Sequence, residues 1–343
     1  MRGLSLGLPP GRLGRTFTDE ASEKTAAPGQ TPAGVVGMGL MGTSIAACLL
    51  IAGHPVVAID TDPAQRRRAL LRLRQHLQEA RRELLLKPPA AKLLKRFTIS
   101  GNFGPLAKCR IVIESVFEDL RAKRRVIRQV EAVVSPQAII GSNTSSLPIT
   151  QLQKGARHPE RVLGIHWGEP AHILRFMEII CGRETAPLYA GRAMAMARRW
   201  GKEPSLVRRD IRGFITNRIM YAMLREAFHL VESGYATVED VDRSVRNDYG
   251  FWMTLAGLFR YMDLTGIPAY AAVMKGLFPD LNCSKKVPCL MRKVVRSGAL
   301  GIANARGFYQ YTPAQAKRWE KLFLKFSYEI RAVAQKYPES VGD

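Results

Sequence analysis

Three glycines limit this chain to few folds. Gly37-Met38-Gly39-Leu40-Met41-Gly42 fits G-x-G-x-x-G and lies between a strand-like run, Gly34-Val-Val-Gly37, and an apolar helical stretch, Leu40 to Ala52. The first glycine permits a tight turn, the second lets a pyrophosphate approach the backbone, and the third lets helix and strand pack closely. The anion would face the free N–H groups and positive end of the helix around Leu40 and Met41. A second extended run, His54-Pro-Val-Val-Ala-Ile-Asp60, completes strand, helix and strand, so a right-handed βαβ unit is predicted. Asp60, about twenty residues beyond the glycines, can accept hydrogen bonds from ribose hydroxyls and repel a 2′-phosphate, which favours NAD as cofactor. Arg66, Arg67 and Arg68 follow closely and keep NADP open as an alternative.

The alternation continues. Asp62 and Pro63 begin a long helix predicted to run to Leu86, where Pro88-Pro89 stops it, and Ala90 to Lys95 forms a shorter partner helix. Further strands are predicted at Arg110–Glu114, Ala138–Gly141, Val162–His166 and Phe176–Ile180, with helices at Leu120–Val133 and Leu188–Trp200. This is the order of a Rossmann-type, doubly wound α/β domain, placed at residues 33–208 with a helical hairpin insertion near 63–96. Beyond about Arg209 strand signals nearly vanish. Helices are predicted at Phe214–Ser233 and Val238–Val245, the latter capped by Thr237, and an all-α C-terminal domain is placed at 209–338. Residues 1–32, rich in Gly, Pro, Ser and Thr, read as a disordered tail; Asp19, Glu20 and Glu23 argue against a transit peptide.

At 343 residues the chain can bury two cores. No apolar run reaches the ~18–20 residues of a membrane span, so no membrane association is expected. The five cysteines form no C-x-x-C, which fits reduced, mostly buried thiols in a cytoplasmic protein rather than a disulfide or zinc framework, and no metal site is expected. The formal net charge of +23 predicts attraction to polyanions. No nucleic-acid-binding motif is visible and no specific nucleic-acid partner is expected.

Polar residues gather beside the later strands: Ser142-Asn143-Thr144-Ser145-Ser146-Leu147, Gly164-Ile165-His166-Trp167 and Met177-Glu178-Ile179, followed much later by Gly213-Phe214-Ile215-Thr216-Asn217-Arg218. With Glu114, Glu118, Lys123 and the late Gly307-Phe308-Tyr309, this ordered set resembles the 3-hydroxyacyl-CoA dehydrogenase family from about Ala33 to Tyr311. Glu232 to Gly234 and Asp263-Leu264-Thr265-Gly266 look like its hydroxybutyryl-CoA dehydrogenase and lambda-crystallin branches. The resemblance implies NAD-dependent oxidation of an L-3-hydroxyacyl-CoA. It puts the catalytic histidine at His166, its glutamate partner at Glu178 and substrate-polarising groups at Ser145 and Asn217. Glu118, Lys123 and Asn143 join the glycine loop and Asp60 as implied cofactor contacts, and a homodimer is implied as well.

Such roles are chemically reasonable. Oxidising a secondary alcohol removes the hydroxyl proton as hydride leaves carbon, and imidazole titrates near neutral pH. A carboxylate on its other nitrogen fixes the tautomer and stabilises the imidazolium. His172, in the following loop, is the one rival to His166. The bases of the 66–96 segment, among them Arg72, Arg74, Arg81, Arg82, Lys87, Lys92 and Lys95, suit the phosphates of coenzyme A or form a solvated face. Three departures bear on substrate choice. Gly168-Glu169-Pro170 stands where the family has Asn-Pro, Arg212 replaces a proline, and a lysine expected before Gly307 is missing. They leave room for a free hydroxy acid, as in gulonate or carnitine dehydrogenases. The charge alone supports a non-enzymatic NAD-sensing or nucleic-acid-binding protein.

Overall fold

The computed structural model describes residues 31–337 apart from Leu84 and Lys87, so nearly all of the expected tail lies outside the described residues. The chain divides into two compact units, one ending at Phe214 and the other beginning at Ile215.

The first unit is built on β1 (Ala33–Val36), β2 (Val56–Ile59), β3 (Phe97–Ser100), β4 (Ile111–Glu114), β5 (Ile139–Ser142), β6 (Val162–Trp167), β7 (Phe176–Ile180) and β8 (Glu203–Val207). They form one sheet in the order β3-β2-β1-β4-β5-β6-β7-β8. Every neighbouring pair is parallel except β6 and β7. The strand order reverses between β1 and β4, the crevice where doubly wound folds bind dinucleotides.

Six helices cover the sheet: α1 (Leu40–Ile51), α2 (Pro63–Arg82), α3 (Ala90–Leu94), α4 (Leu120–Glu131), α5 (Ile149–Gln153) and α6 (Pro187–Arg199). Alternate strand residues feed two cores, as a period of two requires. Val35, Ile111, Ile113, Leu163, Ile165, Met177 and Ile179 pack with buried residues of α1, α2 and α6. Val36, Val112, Ile140, Val162 and Ile180 pack with those of α4 and α5. Burial on both faces explains the nearly continuous apolar runs of the central strands.

The predicted doubly wound sheet is present, with two additional strands. Both lie at its edges. In β3 only Phe97 and Ile99 join the core, and Thr98 and Ser100 blur the pattern. β8 contains Pro204, which lacks a ladder donor and is tolerated because an edge strand leaves one side unpaired. Helix α2 ends at Arg82, short of the expected Leu86. The Leu85 N–H bonds back to the Ala80 carbonyl, and the turn delivers Leu86 into the core.

The second unit is helical, as expected. It contains α7 (Thr216–Glu232), α8 (Val238–Asn247), α9 (Tyr249–Trp252), α10 (Leu258–Thr265), α11 (Ile267–Leu277), α12 (Cys289–Arg296) and α13 (Pro313–Lys336). Thr312 caps α13 in a reciprocal capping box with Gln315. Among the described residues no helix is long and apolar enough to cross a membrane.

All five cysteines are unpaired; Cys48, Cys109 and Cys181 are buried, whereas Cys283 and Cys289 are exposed. Burial pushes the Cys109 thiol up to about 12 and the Cys181 thiol up to about 11. A colorimetric disulfide reagent at pH 8 should therefore titrate two thiols in the native protein and all five after denaturation. Equal rates for all five in native buffer would contradict the packing of the first unit.

Candidate active site

The glycine loop is as tight as its sequence implies. Gly37 has φ +91°, and a Cβ there would lie 2.7 Å from the Ser115 carbonyl oxygen. A Cβ on Gly42 would lie 1.8 Å from the Gly37 carbonyl oxygen, so any side chain would force helix and strand apart. Gly39 is different, since its Cβ would meet nothing within 4 Å. It opens the cradle on the side a pyrophosphate would occupy. Gly39 caps α1 without a side-chain bond, and no acid lies in the helix's first turn, which suits an anion. Asp60 follows β2. Its Oδ2 accepts from the Met38 N–H at 2.9 Å and its Oδ1 from the Asp62 N–H at 3.0 Å, which fixes the carboxylate beside the loop. These residues fit NAD, since Gly39 leaves room at the helix end and Asp60 sets a carboxylate beside the loop.

The second part of the site arises where the sheet reverses direction. β6 and β7 pair antiparallel with His166 opposite Glu178. Directly opposed residues point to the same face with Cβ atoms close together. His166 Nδ1 lies 2.8 Å from Glu178 Oε2, and the two side chains are 11% and 1% exposed. Phe176 and Phe214 flank the imidazole, with ring centroids 5.5 and 5.7 Å away. Phe214 has φ +53° just after Gly213 at +82°, a sharp turn that ends the first unit.

A buried polar network lies under the neighbouring loop. Lys123 on α4 and Glu114 at the end of β4 form an ion pair of 2.8 Å with exposures of 1% and 0%. The Lys123 ammonium also reaches Glu118 Oε2 at 3.3 Å and donates to the Val116 carbonyl at 3.1 Å. Ser142 donates to Glu114 Oε2 at 2.6 Å. Glu118 Oε1 accepts from the Thr144 hydroxyl and from the backbone N–H groups of Ser145 and Ser146. Burial alone would raise the Glu118 pKa. The Thr144 bond, the Lys123 charge and bond, and the Ser146 N–H outweigh it and hold the carboxyl below its usual range. Asn143 joins this loop to the imidazole's strand: its Oδ1 accepts from the Trp167 N–H at 3.0 Å and its Nδ2 donates to Ser115 Oγ at 3.3 Å.

Thus the first unit gathers the glycine loop and Asp60 at one place, joins His166 to Glu178, and ties Asn143, Ser145, Glu118 and Lys123 into one network. Asn217 lies on the first turn of α7, in the second unit. His172, the rival imidazole, meets α1 and α2. Its Nδ1 lies 2.9 Å from Ser44 Oγ on α1 and its ring packs on His76 of α2. Sequence reasoning missed Lys202. Its ammonium, 4% exposed as a residue, donates to the carbonyls of Ala171 and Leu174 and lies 5.2 Å from the Trp167 ring centroid, pinning the loop between β6 and β7. Nothing local marks a lysine after a Trp-Gly turn for that task.

Residues 32–211 match the 3-hydroxyacyl-CoA dehydrogenase NAD binding domain and residues 213–311 the C-terminal domain of the same family. The chain is 34% identical over 286 residues to a 5-formyl-3-hydroxy-2-methylpyridine 4-carboxylate 5-dehydrogenase of Mesorhizobium japonicum, covering 82% of this chain and 91% of that protein. It is 33% identical over 279 residues to a probable 3-hydroxybutyryl-CoA dehydrogenase of Bacillus subtilis, covering 81% and 96%. Among solved structures, a 5-formyl-3-hydroxy-2-methylpyridine 4-carboxylic acid 5-dehydrogenase, described as an NAD+-dependent dismutase, superposes with TM-score 0.83 at 30% identity, covering 90% of this chain and 99% of its own. The (S)-3-hydroxybutyryl-CoA dehydrogenase of Ralstonia eutropha superposes with TM-score 0.68 at 29% identity, covering 82% and 99%. By both domain matches and by these relatives, the chain belongs to the 3-hydroxyacyl-CoA dehydrogenase family and is an NAD-dependent oxidoreductase.

Proposed function

We propose that the protein oxidises an L-3-hydroxyacyl-CoA to the 3-ketoacyl-CoA, with His166 as general base and Glu178 as its partner. The observation that supports this most is the 2.8 Å contact between His166 Nδ1 and Glu178 Oε2. With Glu178 accepting from Nδ1–H, the Nε2 lone pair takes the substrate's hydroxyl proton, and the buried carboxylate stabilises the imidazolium. NAD, held by the glycine loop and Asp60, would supply the hydride acceptor for the carbinol carbon. Ser145, and Asn217 of the second unit, are proposed to donate hydrogen bonds to the substrate oxygen. Asp60 is proposed to hold the adenosine ribose, and Glu118 and Asn143 the nicotinamide side, with Lys123 fixing Glu118. The cofactor domain is assigned to 33–208 and the substrate and dimerisation domain to 209–338.

Arg81 and Arg82 line a cleft of about 780 Å³ between α2 and α3, a cationic setting suited to coenzyme A phosphates. A homodimer is proposed through the second unit, where Phe251, Phe259 and Leu300 are 83%, 81% and 72% exposed. Five unpaired thiols favour a cytoplasmic setting.

A second reading, oxidation of a free carboxylate-bearing alcohol or aldehyde, is favoured by the TM-score of 0.83 with the pyridine-carboxylate enzyme, and Glu169 decides how far an anion is tolerated. Glu169 is exposed at the surface, yet desolvation by the protein around it pushes its carboxyl up to about 7. It is therefore largely neutral below pH 7 and anionic above.

His166→Gln should lower kcat by about 10²–10⁴-fold while NADH still binds. Full turnover in that variant excludes the proposed base. Acetoacetyl-CoA should be reduced with NADH at a kcat/KM above that of any free hydroxy acid's keto form; the opposite order selects the second reading. As pH rises through about 7, Glu169 gains charge, so the KM for an anionic substrate should rise, and Glu169→Gln should remove that step from the KM profile. An unchanged profile rules out Glu169 as its source.

A further inference from the structure

Beside the cleft lined by Arg81 and Arg82, and apart from the His166–Glu178 pair, one group of side chains among the described residues has the composition of a metal centre. His76 and Glu79 lie three residues apart on α2 and so share one face of the helix. His172 approaches them from the loop between β6 and β7. One ligand atom from each lies within 4.8 Å of the others. The two imidazoles are tilted at 42° with centroids 4.5 Å apart. His76 Nε2 is buried with no hydrogen-bond partner, an expensive state for an imidazole nitrogen unless something else occupies it. Ser44 Oγ lies 2.9 Å from His172 Nδ1, the kind of contact that orients a ligating imidazole and sets its tautomer.

We propose that His76, Glu79 and His172 bind one divalent transition-metal ion of the zinc class. Two imidazoles and a carboxylate with an open fourth position form a familiar zinc donor set. Donors held at roughly 2.0–2.2 Å from an ion lie about 4 Å apart at most, so a small rotation of side chains closes the present arrangement. Hard cations are disfavoured. Only one of the three donors is an oxygen ligand, and Arg72 beside His76 and Arg82 beside Glu79 oppose a site held by charge alone. The ion would tie α2 to the loop that connects the strands of His166 and Glu178. It adds a metal site where the sequence, with His172 so far along the chain from His76, gave no expectation of one.

The test uses the full chain stripped with chelator, in a Cys283→Ser/Cys289→Ser background so that exposed thiols do not contribute. Co²⁺ should bind in one equivalent with a visible d–d spectrum, be displaced by Zn²⁺, and be unaffected by Mg²⁺. Zn²⁺ should also raise the thermal midpoint. His76→Gln and Glu79→Gln should each weaken Co²⁺ binding by at least about tenfold and remove the Zn²⁺-dependent midpoint shift. Circular dichroism confirms folding, and if His76→Gln does not fold, Glu79→Gln decides. No stoichiometric Co²⁺ binding at micromolar concentrations, or unaltered binding in the folded variants, overturns the proposal. The readout is metal absorbance and not turnover, so it stands apart from the dehydrogenase assignment.

Discussion

The arrangement depends on a single reversal of strand direction. The first six strands run one way; β7 returns beside β6 in a register that sets His166 against Glu178, and β8 runs with β7. In a parallel pair these residues, close in sequence, would need a long crossover to meet. The antiparallel turn brings them together through a short loop, and the strand period points both to the same face. Neighbouring positions Ile165, Trp167, Met177 and Ile179 are anchored in the opposite core. A slip of one residue would send the imidazole into that core and four apolar side chains out of theirs. The hydrophobic pattern thereby secures the polar pair.

The Glu114–Lys123 pair follows another logic. Burying two charges is costly, and removing one partner of such a pair costs about 3–5 kcal/mol because the other is stranded. Here each charge has further partners. Glu114 accepts from Ser142 and the Val116 N–H, and Lys123 reaches Glu118 and the Val116 carbonyl. The pair locks the exits of β4 and β5 together at the crevice where the strand order reverses. Its value is in the shape of the loop from Asn143 to Leu147 more than in net stability.

Much of this was legible in the residues. G-x-G-x-x-G and Asp60 specify a βαβ unit because their constraints are local: a turn, a close backbone approach and a helix end. The central strands announced themselves because both their faces are buried. Edge strands β3 and β8 did not, since half their residues face water and Pro204 is permitted only where the ladder stops. Glu178 could be named by resemblance, but its bond to His166 depends on strand pairing that no single segment encodes. The Lys202 anchor and the His76–His172 contact escaped for the same reason, as they join parts of the chain that periodicity does not connect.

The loop from Gly168 to Arg175 has a consequence of its own. It carries Glu169 and His172, and Lys202 grips it from beneath by main-chain carbonyls, which every residue type possesses. That hold does not depend on the side chain at the exposed position Glu169, whereas Ala171, His172 and Ile173 are fixed by burial and the His166–Glu178 pair stays in the strands on either side. The hairpin thus separates a hydrogen-bonded pair fixed by strand register from an exposed tip position, so a substitution at Glu169 changes the charge of the tip while leaving intact the register that sets His166 against Glu178.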